Sequence, residues 1–440
     1  MKNVRWWVLG LVFLATTVNY VDRQVLSVLQ KTLQDVLKFS NTEYGRITGA
    51  FLLAYAIFHP LAGRFIDALG IRLGFTVAII IWSVGACAHA LAGYFVGQTV
   101  QLFGYTLNAA VVVLILARFL LGAGEAGNFP AAIKTVAEWF PKKERAFATG
   151  IFNAGTNVGA MIAPPIVYFL VQWSGWQGAF VFTGLIGAAW IFLWLAFYYR
   201  PAEHPRLSKE EYNHIHSDPE EKVTGTEQGI PFSEIIRHRQ AWGFILAKSL
   251  TDPIWWFYLF WLPGYLSRDK GFTLATLAAL LWIPYLWADF GSVGGGWLSS
   301  FLIKKGWSVD RSRKTALLAA ALCMPVAILA LITRNNILVM CLIGVACAGH
   351  QAWSANLFTL TSDTFPKRAV GSVVGLGQTG GATAGFIFTN IIGNVVDTVG
   401  YTPLFIIAGC FHVTAFILIC LIFGKIEPIA FPSKAAVPVR

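Results

Sequence analysis

The sequence predicts an all-α membrane protein with twelve transmembrane helices in two six-helix halves. Three observations predict it. Of the 440 residues, 56% are hydrophobic and only 12% charged, against about 25% charged in a soluble domain. Twelve apolar runs each reach the roughly 20 residues that a spanning helix needs. A segment between the fourth and fifth runs recurs between the tenth and eleventh. One soluble core of this size has too little interior to hide so much apolar surface, so lipid must solvate most of the chain.

The runs cover 5–29, 44–68, 73–93, 105–138, 146–171, 176–199, 240–266, 273–301, 314–333, 336–362, 369–396 and 401–424. The first is long enough to span and is followed by another span, so it reads as a retained anchor. The fourth is longer than needed and is expected to start after a short external segment near Tyr105. Gly and Pro recur inside the runs, which membrane helices tolerate because neighbours re-satisfy the backbone. The longest polar interruption divides the chain into an N-terminal half (1–199), a cytoplasmic linker (200–239), a C-terminal half (240–424) and a cytoplasmic tail (425–440). His204, His214 and His216 sit among solvated Glu, Lys and Pro, so the interruption reads as a linker rather than a metal site. "LSKEEYNHI" within it suits a short surface helix.

The net charge of +11 is topology rather than a nucleic-acid footprint. With both termini inside, cytoplasmic segments hold 23 Lys and Arg and outer segments six. That asymmetry orients membrane proteins. The six cysteines all lie in apolar runs without metal-ligand spacing, and read as small hydrophobes. No metal and no cofactor is implied.

The halves repeat each other. "EWFPKKERAFATGIFNAG" (138–155) aligns with "DTFPKRAVGSVVGLGQTG" (363–380), matching Glu138 to Asp363, Phe140 to Phe365, Pro141 to Pro366, Lys142 to Lys367, Gly150 to Gly375 and Gly155 to Gly380 at one constant interval. Two such halves suggest a rocking transporter with its site between them near the midplane.

"GRFIDALGIR" (63–72), between the second and third runs, fits G-x-x-x-D-x-x-G-x-R through Gly63, Asp67, Gly70 and Arg72. "RFLLGAGEAGNFPA" lies in the fourth run. On these stretches the whole chain resembles the major facilitator superfamily, in its anion:cation symporter branch. The 63–72 loop is then expected to act in gating; its second-half counterpart is degenerate, with Ser300 in place of the acid. "NYVDRQVLS", "LTDPIWWFYLFWLPGYL" and "PYLWADFGSVGGGWLSS" are similar to bacterial hexuronate transporters.

Charges at membrane depth cost about 2.5–3.5 kcal/mol each and therefore ask for a role. They are Asp22, Arg23, Arg118, Glu125, Lys248, Asp252 and Asp289. Arg118 and Glu125, seven residues apart, fall within about 20° on a helix but two turns apart in height. Counting rise from each end puts Asp22 level with Arg118, so Asp22 is the expected partner of Arg118 and Glu125 is left freer. Successive side chains diverge by about 100°; if Asp22 turns to Arg118, Arg23 can face the central cavity. A guanidinium there suits a carboxylate, which it grips bidentately. Static helix-locking pairs are the competing role. For Asp289 that structural role is favoured, and for the i,i+4 pair Lys248 and Asp252 the two roles divide evenly. His59 and His350 read as packing histidines rather than a proton relay.

Tyr20, Tyr55, Asn153, Gln351, Trp353, Asn356 and Gln378 are the candidate partners for sugar hydroxyls and C–H faces. Asn153 and Gln378 are repeat equivalents. The family resemblance implies that Asp22 and Glu125 exchange protons while Arg118 tunes Asp22 and Arg23 holds the substrate carboxylate. The expected protein is a monomeric proton-coupled importer of a sugar-acid anion in the bacterial inner membrane, in contact with lipid and not with nucleic acid. The alternatives keep the fold and carry galactonate, tartrate, phthalate, phosphate or an amino-acid anion, or sense a ligand without moving it. A membrane enzyme is disfavoured, because no Ser/His/Asp set, metal spacing or phosphate loop is present.

Overall fold

A computed structural model describes residues 3–102, 104–217 and 230–429. Lys2, Lys222, Lys434 and Arg440, together with residues 218–229 of the linker and 430–440 of the tail, lie outside the described residues. Among the described residues, eight segments are long and apolar enough to cross a membrane. Two of these are double. Asn41–Phe95 turns back at Gly70 and Phe147–Phe197 at Gly175, both at positive φ (76° and 72°). A side chain at Gly70 would strain a left-handed backbone, so this glycine ends span 2 and starts span 3. Spans 7 (Arg239–Asp269) and 11 (Lys367–Thr398) complete the twelve. Both are less apolar than the others.

Proline sets where the spans break. Span 7 is interrupted at Trp261, ahead of Pro263, and span 8 at Leu281, ahead of Pro284. Span 9 slips into a 3₁₀ turn at Met324–Ile328 around Pro325. Each proline lacks the N–H that the continuing helix needs. Span 4 runs as Ala109–Glu125 and Asn128–Trp139, broken after Glu125. The segment ahead of it is a two-stranded hairpin, β1 (Thr99–Leu102) and β2 (Tyr105–Asn108), paired antiparallel with Thr99 opposite Asn108. The sequence reading therefore placed the short segment near Tyr105 correctly. Asn108 caps the helix that follows through the Ala110 N–H (3.1 Å).

The hairpin defines one face of the molecule, and the described chain ends define the other. At the hairpin face the two halves are bolted together. The Asp397 carboxylate, at the end of span 11, accepts from Asn41 N and Nδ2 (3.2 and 2.8 Å) and from Thr42 N and Oγ1 (both 2.7 Å) at the start of span 2. An acid on the first free N–H groups of a helix satisfies orphan donors and complements the helix dipole. Deeper in, Thr48 Oγ1 meets Thr389 Oγ1 at 3.0 Å, Tyr44 donates to Phe260 O at 2.8 Å, and Gln24 Nε2 donates to Tyr285 Oη at 2.6 Å. On the other side of the membrane the repeat-equivalent helices of spans 5 and 11 leave Gly150, Asn153, Gly371 and Gly375 exposed.

Small residues set the closest helix contacts, as expected where lipid supplies no hydrophobic drive between helices. A Cβ on Gly124 of span 4 would stand 2.8 Å from Ala78 O of span 3 and press on the Trp82 N–H; a Cβ on Gly150 would meet nothing within 4 Å. Gly124→Val is therefore expected to lower the melting temperature of detergent-purified protein, by overpacking worth about 1–3 kcal/mol. Gly150→Ala is expected to leave it unchanged or raise it, since Ala is the better helix former. Equal melting temperatures for the two variants would rule out the span 3–span 4 contact.

Candidate functional site

Six groups from spans 1, 2, 4 and 7 surround one cation, four of them buried and two, Tyr55 and Trp256, half-buried. Arg23 (span 1) donates from Nε (2.9 Å) and Nη2 (2.6 Å) to the same Oε2 of Glu125 (span 4), and from Nη2 to Asn19 Oδ1 (3.3 Å). Both side chains of the ion pair are at most 1% accessible. The guanidinium carbon lies 4.4 Å from the Tyr20 ring centre, 4.9 Å from Phe51, 5.5 Å from Trp256 and 5.6 Å from Tyr55. Aromatic faces are electrostatically favourable for a desolvated cation, and one turn of helix explains the set. Tyr20 is three residues before Arg23, and Phe51 stacks on Tyr55 four residues on, at 5.8 Å. Glu125 Oε1, the oxygen turned away from Arg23, is buried without a hydrogen bond.

The pairing differs from the one expected by counting rise. Arg118 makes no ion pair with Asp22; its Nη2 donates to the Arg23 carbonyl at 2.9 Å, and its Nε and Nη1 are buried without partners. Span 1 and Arg118 do share a level, but Arg118 meets backbone there. Asp22 points the other way, toward Thr183 of span 6, and neither of its oxygens forms a hydrogen bond of normal geometry. Glu125 is not the freer acid, because the long Arg23 side chain reaches down to its level. The physical reason is the cost of an isolated buried charge. Arg23 has the reach to find Glu125, whereas the short Asp22 side chain stays near Arg118 without forming a direct ion pair with it.

A small cavity of about 30 Å³ adjoins this cluster where the two halves meet. It is lined by Tyr55 and His59 of span 2, Asp252 and Trp256 of span 7, and Gln378 and Thr379 of span 11. That is room for a water and too little for a sugar, so a substrate must part Tyr55 from Trp256. Lys248 lies one turn below Asp252 and pairs with it at 2.9 Å.

Among the candidate residues, Tyr20, Arg23, Tyr55 and Glu125 converge, with Gln378 at the adjoining cavity. Others are placed elsewhere. Trp353 is fully buried in a core of the second half, 5.5 Å from the His412 ring. The Asn356 amide donates to Gly295 O and Ala352 O (both 2.9 Å), which locks span 10 to span 8. In this conformation these two expected substrate contacts pack in the second half and join helices, away from the Arg23 cluster. Gln351 is half-buried on the same helix and does not line the cavity. Asn153 is exposed on span 5. Asp289 accepts a short hydrogen bond from Asn157 Nδ2, tying span 8 to span 5 across the halves. His350 bonds His412 at 3.1 Å and stacks on Trp255, and His59 stacks on Tyr55. In the 63–72 loop, Lys134 Nζ donates to Gly63 O (2.7 Å) and pairs with Asp67, and Arg72 donates to Leu195 O. The loop is thus tied to spans 4 and 6.

Sequence reasoning missed Asn19, Phe51, Trp256 and Phe260. Phe51 and Phe260 also flank Arg118, at 5.5 and 5.6 Å. Their signal was available in helical spacing, since Asn19 is four residues before Arg23 and Phe51 four before Tyr55.

A family model described as the Major Facilitator Superfamily matches residues 12–389. The hexuronate transporter of Escherichia coli strain K12 is 34% identical over 423 residues, covering 95% of this chain and 94% of that one. The galacturonate transporter of Dickeya chrysanthemi is 34% identical over 327 residues, covering 74% of this chain and 90% of that one. The solved structure of the xylose transporter of E. coli, inward open, superposes with a TM-score of 0.72 at 15% identity, over 96% and 97% of the two chains. At that identity the likeness is one of fold.

Proposed function

We infer, since the chain belongs to the major facilitator superfamily, that it imports a hexuronate-like sugar-acid anion together with protons by alternating access. It is a membrane transporter and not an enzyme. The observation that carries the reading is the Arg23–Glu125 pair inside its aromatic cage. A substrate carboxylate and the Glu125 carboxylate compete for one guanidinium. Protonating Glu125 releases Arg23, which then grips the incoming carboxylate, and the aromatic rings pack against the sugar's C–H faces. Substrate binding and proton binding are thereby the same event. Asp22 is a second proton site beside Arg118, whose unpartnered N–H groups make its charge sensitive to the state of that acid. The relatives named for hexuronate and galacturonate support a six-carbon acid as cargo.

Alternating access in this reading is a rocking of 1–199 against 240–424 about the central cluster, with 200–239 as the tether and the protein acting as a monomer. The bonded hairpin face and the exposed glycines of spans 5 and 11 on the opposite face support a conformation closed outside and loosened inside. The test is uptake of labelled galacturonate and glucuronate into proteoliposomes. Accumulation against a gradient is expected when the outside is acidic, and to vanish with a protonophore. Uptake indifferent to the pH gradient would remove proton coupling.

The face carrying the termini is cytoplasmic in a bacterial inner membrane, because it concentrates the basic residues. A lone cysteine at Ser217, in a background without native cysteines, is expected to resist an impermeant maleimide in intact cells and to react in inverted vesicles. Labelling from outside would reverse the orientation.

A further inference from the structure

We propose that the Lys248–Asp252 pair is a second, neutral pole of the substrate site, which reads the hydroxyls at the far end of the acid and refuses a second carboxylate. The inference rests on the sugar-acid reading and deepens it. Trp256 contacts Arg23 (5.5 Å) on one side and lines the small cavity on the other. Asp252 lies four residues before it, one helical turn or about 5.4 Å along span 7, and opens into the same cavity with Gln378 and Thr379. A six-carbon acid held at Arg23 and extended along span 7 therefore places its far end at Asp252.

The pair is built into its surroundings. Lys248 Nζ bonds Asp252 Oδ2 at 2.9 Å, with side chains 6% and 15% accessible, and rests 4.7 Å from the Phe358 ring. Asp252 lies so close on span 11 that a Cβ on Gly381 would stand 2.9 Å from its carboxyl carbon. Two buried ions held this closely are costly to keep for packing alone, since apolar residues of similar volume often serve as well. Asp252 offers hydroxyls a strong acceptor, and Lys248 cancels its charge so that the pair adds none. Asp252 turns its acid toward the cavity while Lys248 lies behind it. A hexarate, with a carboxylate at both ends, would bring its second charge against Asp252, and like charges juxtaposed in a buried site are strongly disfavoured. The pair thus selects monocarboxylate over dicarboxylate sugars.

Titration calorimetry of the full chain in detergent, with D-galacturonate and galactarate as probes, tests this. The wild type is expected to prefer galacturonate by about tenfold or more. Asp252→Asn frees the charge of Lys248 and is expected to move the ratio about tenfold toward galactarate. Lys248→Gln leaves Asp252 unpaired and is expected to move it the other way. The double variant, with neither charge, is expected to fall between the two single variants. If Asp252→Asn does not purify as a monodisperse protein, Lys248→Gln and the double variant carry the comparison. Folded variants that keep the wild-type ratio overturn the inference while leaving the sugar-acid reading intact. A wild type that binds neither acid overturns the sugar-acid reading, and this inference with it.

Discussion

Arg23→Ala is expected to abolish binding of acidic sugars. The guanidinium is at most 1% accessible and shares its aromatic cage with one carboxylate, from Glu125. Removing one partner of a buried, hydrogen-bonded charge pair typically costs about 2–5 kcal/mol, or roughly thirtyfold to several thousandfold in affinity. Arg23→Lys keeps the charge but loses the planar fork that meets a carboxylate with two parallel hydrogen bonds. It is expected to be intermediate, weaker than wild type by about tenfold. The loss should follow the charge of the ligand, with an uncharged hexose showing no difference between wild type and variant. Calorimetry on monodisperse protein checks this, and unchanged galacturonate affinity in Arg23→Ala would remove Arg23 from the site.

The architecture was legible in the sequence because spans announce themselves locally. A run of apolar residues, a glycine that turns the chain at Gly70 and a basic cluster beside it need no partner to be recognised. The repeat was legible because six positions keep one interval. The members of the central cluster were partly legible as well: a charge in an apolar run stands out, and Tyr20 lies on the turn before Arg23. Their pairing was not. Counting rise gives depth, and depth did place Arg118 level with span 1. It gives no azimuth between two helices and ignores the reach of an arginine, so Asp22 was matched to Arg118 and the Arg23–Glu125 bond was missed. Asn356 and Trp353 show the converse case. A polar or aromatic residue in a span looks like a cavity residue until the carbonyl of Gly295 and the core around His412 are seen to occupy it. Phe51, Trp256 and Phe260 were passed over for the opposite reason, since aromatic residues in membrane helices usually pack.

Glu125→Gln is expected to separate binding from driving. Glutamine keeps the shape of the side chain and an oxygen for the Arg23 N–H groups, but it stays neutral at every pH and so mimics only the protonated acid. In the wild type the ionised Glu125 holds Arg23 and competes with substrate, so galacturonate affinity should fall as the pH rises through the range where Glu125 loses its proton. In the variant no anion competes, and the affinity should equal or exceed that of the wild type and stay flat over the same range. A charge-assisted hydrogen bond contributes about 1.5–3 kcal/mol against roughly 1 for a neutral one, so the gain at alkaline pH could reach about tenfold. Transport should suffer in the opposite sense. With no proton to release from Glu125 inside, accumulation under an acid-outside gradient should collapse toward equilibration. Counterflow of labelled against unlabelled galacturonate should survive, because exchange never requires the empty, deprotonated carrier to reorient. Arg23 without its anionic partner is a buried charge, so the ligand-free variant should melt lower than wild type and recover more of its stability when galacturonate is added. A Glu125 that merely fastened span 1 to span 4 would behave differently: the variant would be unstable with or without ligand, or would accumulate substrate normally. Well-folded Glu125→Gln protein showing wild-type uphill uptake and proton flux would refute the coupling role.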